Sequence, residues 1–120
     1  MKKINNKGRC EKRKVSKCED ICRTYSKIQS AMVDMLENND GVVSFECSVR
    51  FKGVADDFYS TDFVIKKMDG STAVRECVWR INLQKTSYAK LLDISRNYWL
   101  SHDVEDWRIV IEKEVNDEGQ

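Results

Sequence analysis

The sequence predicts an α/β fold, a mixed sheet flanked by helices, with elements in the order helix, three strands, helix, strand. Three observations predict it. Apolar residues fall at helical spacing from about residue 26 and again from about residue 86. Between them lie an alternating apolar–polar stretch and two apolar runs joined by a glycine turn. A last run rich in Trp, Ile and Val follows the second helix, so it can return beside the hairpin as a strand through a right-handed helical crossover.

Each element has its own reason. Residues 1–16 read as a polar basic arm, with no apolar period. Ile28, Met32, Met35 and Leu36 share one helix face, and Ser26 stands where an N-cap belongs. Asn38-Asn-Asp-Gly41 stops that helix. Val43, Phe45, Cys47 and Val49 alternate with Ser44, Glu46 and Ser48, the period of a half-buried strand. Residues 53–60 form an acidic loop containing Asp56 and Asp57. Strands over 61–67 and 72–79 are joined by Met68-Asp-Gly70, a three-residue loop with glycine at its left-handed position. That loop sets Lys67 opposite Ser71 and Asp62 opposite Glu76; a two-residue loop would set Asp62 opposite Cys77. The second helix spans 86–100 with Tyr88, Leu91, Leu92, Ser95, Tyr98 and Trp99 as its packing stripe. The closing strand covers 107–112.

At 120 residues, without proline, repeat or linker, the chain builds one core, over 17–115, between the basic arm and an acidic tail at 116–120. No apolar run is long enough to cross a bilayer, and the lysine-rich start lacks the apolar stretch of a signal peptide. A soluble cytoplasmic protein without membrane contact is the expectation. The net charge of +1 conceals an asymmetry. Lys12, Arg13, Lys14 and Lys17 close a strongly basic segment, whereas the chain from Ser101 onward is acidic. Such an arm suits phosphate contacts with DNA; a solvated, disordered terminus is the alternative.

The five cysteines are Cys10, Cys18, Cys22, Cys47 and Cys77. Their odd number, in a chain without export signals, argues against a complete disulfide framework. Cys18 and Cys22 would share a helix face and, with Cys10, form a zinc site, although the spacing matches no common zinc knuckle. Small buried hydrophobes are the other reading. His102, the one histidine, lies beside Asp103 in a polar loop, which leaves a nucleophilic thiol without a base.

The chemistry resides in the carboxylates. Phosphodiester hydrolysis uses a divalent cation to polarise the phosphate and to supply hydroxide near neutral pH. Magnesium takes oxygen ligands and keeps several waters, so Asp62 and Glu76 brought together by a hairpin satisfy the ligand count for Mg²⁺ or Mn²⁺. Tyr59-Ser-Thr-Asp-Phe-Val resembles the first motif of the PD-(D/E)xK nucleases, and Arg75-Glu-Cys-Val resembles a variant of the second. The nearest likeness is to the N-terminal catalytic domain of TnsA-type transposon endonucleases, over about residues 25–115. Ser26-Lys-Ile-Gln, Val43-Ser-Phe-Glu, Lys90-Leu-Leu-Asp-Ile-Ser-Arg-Asn-Tyr-Trp and Trp107-Arg-Ile-Val-Ile-Glu-Lys-Glu resemble its opening helix, first strand, late helix and closing strand.

The resemblance implies a restriction-endonuclease-like α-β-β-β-α-β core. It further implies metal-dependent DNA cleavage in a transposon or other mobile element, with a transposase or ATPase subunit as partner. Two positions depart from the family pattern. Gln29 stands where the family usually has a glutamate, and Val78 stands where it has a lysine. Strand alternation would put Arg80 on the face of Glu76 and Val78, as a relocated cation. The competing readings are a degenerate nuclease domain that binds DNA or a transposase partner, and a small regulatory module with no nucleic-acid role.

Overall fold

The structure, a computed structural model, describes residues 2–3, 10–53 and 57–116. Its architecture is α/β. The main sheet sets β4 (Val42–Lys52), β5 (Phe58–Lys67), β6 (Thr72–Cys77) and β7 (Asp106–Val110) side by side. β4–β5 and β5–β6 are antiparallel and β6–β7 is parallel, so the sheet is mixed. Helix α1 (Lys27–Glu37) precedes the sheet, and α2 (Thr86–Leu100) carries the chain from β6 to β7. A short β1 (Lys2–Lys3) pairs with β5 at Ser60 and Tyr59. β2 (Glu11–Arg13) and β3 (Cys22–Thr24) form a separate antiparallel pair. A 3₁₀ turn (Arg80–Gln84) follows β6, and α3 (Glu112–Asn116) packs against α1.

Local chemistry sets the hairpin. Gly70 sits at φ +89°, its N–H donates to Lys67 O at 3.0 Å, and the Lys67 N–H donates to Ser71 O at 2.9 Å. Asp69 braces the turn by accepting from the Ser71 N–H. Phe63 therefore faces Arg75, and each later pair follows in step. Ser26 caps α1 with extended dihedrals and a hydroxyl that accepts from the Gln29 N–H at 3.2 Å. The helix buries Ile28, Met32, Val33 and Leu36, whereas Met35 is exposed, so the stripe runs through Val33 instead.

Several boundaries differ from the sequence reading. A bulge at Val43 shifts the register from Val42↔Lys67 to Ser44↔Lys66, which buries Val42 and exposes Val43. β6 stops at Cys77, where the expected strand continued to 79. The described part of the expected flexible arm is folded. Arg13 pairs with Asp34 and donates to Ser30 O, while the Ser16 and Lys17 N–H groups donate to the Glu37 carboxylate. The Lys17 ammonium donates to Leu36 O and Asn39 O, the carbonyl end of α1, where a helix attracts cations. Residues 4–9 lie outside the described residues.

The sheet changes faces partway along. Phe45, Phe63 and Ile65 pack with Ile28, Val33 and Leu36 of α1. Strict alternation would keep Phe51 and Tyr59 on that side. They pack instead on Leu92 and Tyr98 of α2, with Phe51 stacked on Tyr98 at 4.3 Å. The switch falls where the β4–β5 ladder steps from Cys47↔Phe63 to Val49↔Thr61, across Ser48 at φ 53°. A single left-handed residue re-aims the strand, and both faces of the sheet acquire a core.

Two glycines distinguish strain from crowding. At Gly70 an added Cβ meets nothing within 4 Å, so Gly70→Ala should lose only the positive-φ strain, about 1 kcal/mol. At Gly53 a Cβ would come within 2.6 Å of the Tyr59 ring, so Gly53→Ala should lose more, about 1–3 kcal/mol. Chemical denaturation of both variants measures the difference, and equal losses would remove the Tyr59 contact from the explanation.

Candidate functional site at the parting of two strands

The regular β5–β6 ladder ends at Phe63↔Arg75, and β5 then runs on beside β1. Continuing the register by one step puts Asp62 opposite Glu76. There the side chains replace the ladder. The Asp62 N–H donates to Glu76 Oε1 at 2.9 Å, and the Cys77 N–H donates to Asp62 Oδ2 at 2.8 Å. Each carboxylate thus accepts from the backbone of the opposing strand. Glu76 is 0 % exposed and Asp62 is 5 % exposed.

Glu76 is held from the helix side as well. Ser95 of α2 donates its hydroxyl to Glu76 Oε2, and the Trp107 indole N–H donates to Ser95 Oγ at 3.0 Å. Burial pushes the Glu76 carboxyl up to about 7, and the charge of Asp62 acts in the same direction; the Ser95 and Asp62 donors oppose both. Burial likewise raises the Cys77 thiol far above its ordinary range, with Asp62 reinforcing it, so Cys77 is no nucleophile near neutral pH.

Beside the carboxylates lies a cavity of about 170 Å³. Asp62 and Gln29 both line it, together with Tyr25, Ser26, Val78, Trp79, Asn82 and Tyr88. Glu76 lies behind this wall. The cavity therefore sits between the N-terminal ends of α1 and α2, at the point where β5 and β6 separate.

The other residues singled out in the sequence have distinct positions. Gln29 Oε1 accepts from the Tyr25 N–H at 2.7 Å, so Ser26 and Gln29 close a reciprocal cap on α1. Its carbonyl is engaged, and its amide borders the cavity. Val78 is buried, lines the cavity and packs in the α2 cluster. Arg80 opens the 3₁₀ turn and is exposed, because strand alternation ends at Cys77; its N–H donates to the Glu112 carboxylate. It does not line the cavity.

Arg75 bonds Asp106 Oδ1 at 2.9 Å, and Lys67 bonds the other oxygen at 2.7 Å. Arg75, then Lys67, holds the Asp106 carboxyl at about 2, well below its usual range. Lys12 and Lys14 are exposed, while Arg13 and Lys17 are tied to α1.

The cysteines also differ from the helical reading. Cys18 lies in the β2–β3 connection and Cys22 opens β3. Cys22 is bonded to Cys47 of β4, and the close thiol group is Cys18, Cys22 and Cys47. Cys10 lies instead beside Tyr25.

Sequence reasoning placed Ser95 only in a packing stripe. A serine among apolar stripe positions was the available signal that a buried polar partner waits across the interface. No protein-family model matches the chain, and no curated protein matches it.

The buried carboxyl makes stability depend on pH. From the ordinary carboxyl value up to about 7, folded Glu76 holds its proton while the unfolded chain releases it. The folded state binds more protons in that window, so Glu76 lowers stability progressively as pH rises through it, by up to about 3 kcal/mol. In chelator-treated protein, Glu76→Gln should flatten that decline in denaturation curves at pH 5, 6 and 7. A decline of unchanged slope would assign it to other groups.

Proposed function

We propose that the chain is a metal-dependent DNA endonuclease subunit of a transposon or other mobile element. The reading combines the α/β mixed-sheet architecture with the sequence resemblance to TnsA-type endonucleases. One observation carries it: Asp62 and Glu76 meet where β5 and β6 part, and Asp62 forms the wall of a cavity there. Two carboxylates in that position are hard oxygen donors suited to Mg²⁺ or Mn²⁺. Bound there, the cation would polarise a phosphodiester and lower the pKa of its water.

The residues divide that work. Asp62 lines the cavity, and Ser95 with Trp107 holds Glu76 next to it. Gln29 offers an amide donor at the rim, since its carbonyl already serves Tyr25. Exposed Lys12 and Lys14 supply phosphate contacts on the duplex, sequence-independent and salt-sensitive. A transposase or ATPase subunit is the protein partner of this reading.

Val78 favours one second reading, a nuclease fold that keeps DNA or transposase binding without cleavage. It occupies the cavity wall with a side chain that neither donates nor carries charge, and Arg80 points elsewhere.

Nicking of supercoiled plasmid separates the two. With Mg²⁺ or Mn²⁺ the natural chain should nick, and Asp62→Asn, which keeps an acceptor for the Cys77 N–H but loses the charge, should abolish nicking while circular dichroism stays native. Val78→Lys, which adds a cation at the cavity, should raise the rate about tenfold or more. A natural chain that binds DNA with strong salt dependence yet never nicks supports the non-cleaving reading. Absence of both activities overturns both.

A further inference from the structure

Where β3 meets β4, three sulfurs from three segments converge. Cys18 comes from the β2–β3 connection, Cys22 from the first position of β3 and Cys47 from the middle of β4. Their Sγ atoms all lie within 4.8 Å of one another. Tetrahedral zinc with Zn–S bonds of about 2.3 Å sets its sulfurs about 3.8 Å apart, so small side-chain rotations suffice. Cys18 and Cys22 are buried and Cys47 is half-buried.

Polar groups are arranged around the sulfurs. Backbone N–H groups of Cys47 and Asp20 are directed at Cys18 Sγ, the donors that a metal-bound thiolate uses. The carboxylates of Asp20 and Glu46 lie near the same sulfur. A cleft of about 450 Å³, lined by Cys47, by the carboxylate residues Asp20 and Glu46 and by Arg23 and Arg50, opens the cluster to solvent.

We propose that Cys18, Cys22 and Cys47 of the reduced chain bind one Zn²⁺, with water or a carboxylate from the Asp20–Glu46 cleft as fourth ligand. The Cys22–Cys47 bridge occupies two of the three sulfurs, so bridge and metal exclude one another. The site is structural in effect. It fastens the β2–β3 hairpin to the main sheet, and Tyr25 and Ser26 at the start of α1 follow directly from β3. The proposal does not depend on nuclease activity.

The test uses the full chain, reduced under a non-chelating phosphine. Titration with Zn²⁺ should reach one ion per chain and raise the melting temperature, and a strong chelator should reverse both. Co²⁺ as a probe should give thiolate-to-metal charge-transfer absorption with the visible bands of a tetrahedral ion. Alkylation mapped by mass spectrometry should show Zn²⁺ protecting Cys18, Cys22 and Cys47 while Cys10 still reacts, a readout that needs no variant. Cys47→Ser should lose tight binding, and Cys10→Ser should keep it. A reduced chain that takes up neither ion, or binding that survives Cys47→Ser and fails in Cys10→Ser, overturns the assignment.

Discussion

The exchange between Asp62 and Glu76 is the constraint on which the site depends. A sheet that splits leaves backbone N–H groups facing a gap, and a buried N–H without an acceptor costs about as much as a lost hydrogen bond. Here the side chains of the two opposing residues accept those protons, at 2.9 and 2.8 Å. β5 is thereby released to run beside β1, and the gap becomes the cavity. The same carboxylates that satisfy the split strands are the ones available for chemistry. Their structural and chemical duties are inseparable: removing either side chain strips an acceptor from a buried amide.

Charges around this clasp are allotted just as tightly. Arg75 neighbours Glu76 in sequence, yet its guanidinium serves Asp106 together with Lys67. That pairing joins β6 to the start of β7 and sets the parallel register Ala73↔Asp106. Arg80 lies past the strand end and leaves the site with the 3₁₀ turn. The two arginines flanking the second motif are thus committed to fold and surface. Among the described residues, none lining the cavity is a cation, and Val78 stands in its wall.

What could be read in advance depended on how local its cause was. Gly70 selects a three-residue loop, and the loop alone dictates the register that brings Asp62 opposite Glu76. Ser26 was legible as the cap of α1, whereas Gln29 read as a polar residue at the edge of the helix face or a ligand, and its part in the cap emerged only in the fold. The order of helices and strands followed from periodicity. Causes distant in sequence were invisible. β2 pairs with β3, and its Arg13 reaches Ser30 and Asp34 of α1, 17 and 21 residues along the chain from what looked like an arm. Ser48 gives no compositional sign that it will adopt a left-handed conformation, yet beyond that residue Phe51 packs on the opposite face. Val78 and Trp79 have strong strand propensity, yet the strand ends before them, where β5 has already left β6 and the pairing with β7 stops at Cys77↔Val110.

The same non-local contacts tie the N-terminal hairpin to the cavity. Cys47 lies next to Ser48, and Ser48 donates its hydroxyl to Arg23 O beside Cys22. From Cys22 the chain needs only Arg23 and Thr24 to reach Tyr25, whose N–H engages Gln29 and whose side chain borders the cavity. Thr24 is buried, which leaves this segment little freedom to absorb a shift. Whatever holds Cys22 against β4 therefore also sets the first turn of α1. Since α1 and β5 supply facing walls of the cavity, the separation between Gln29 and Asp62 follows from how firmly that hairpin is fastened. The basic segment contributes through the fold, by Arg13 on Asp34 and Lys17 on the end of α1, before Lys12 or Lys14 meets any phosphate.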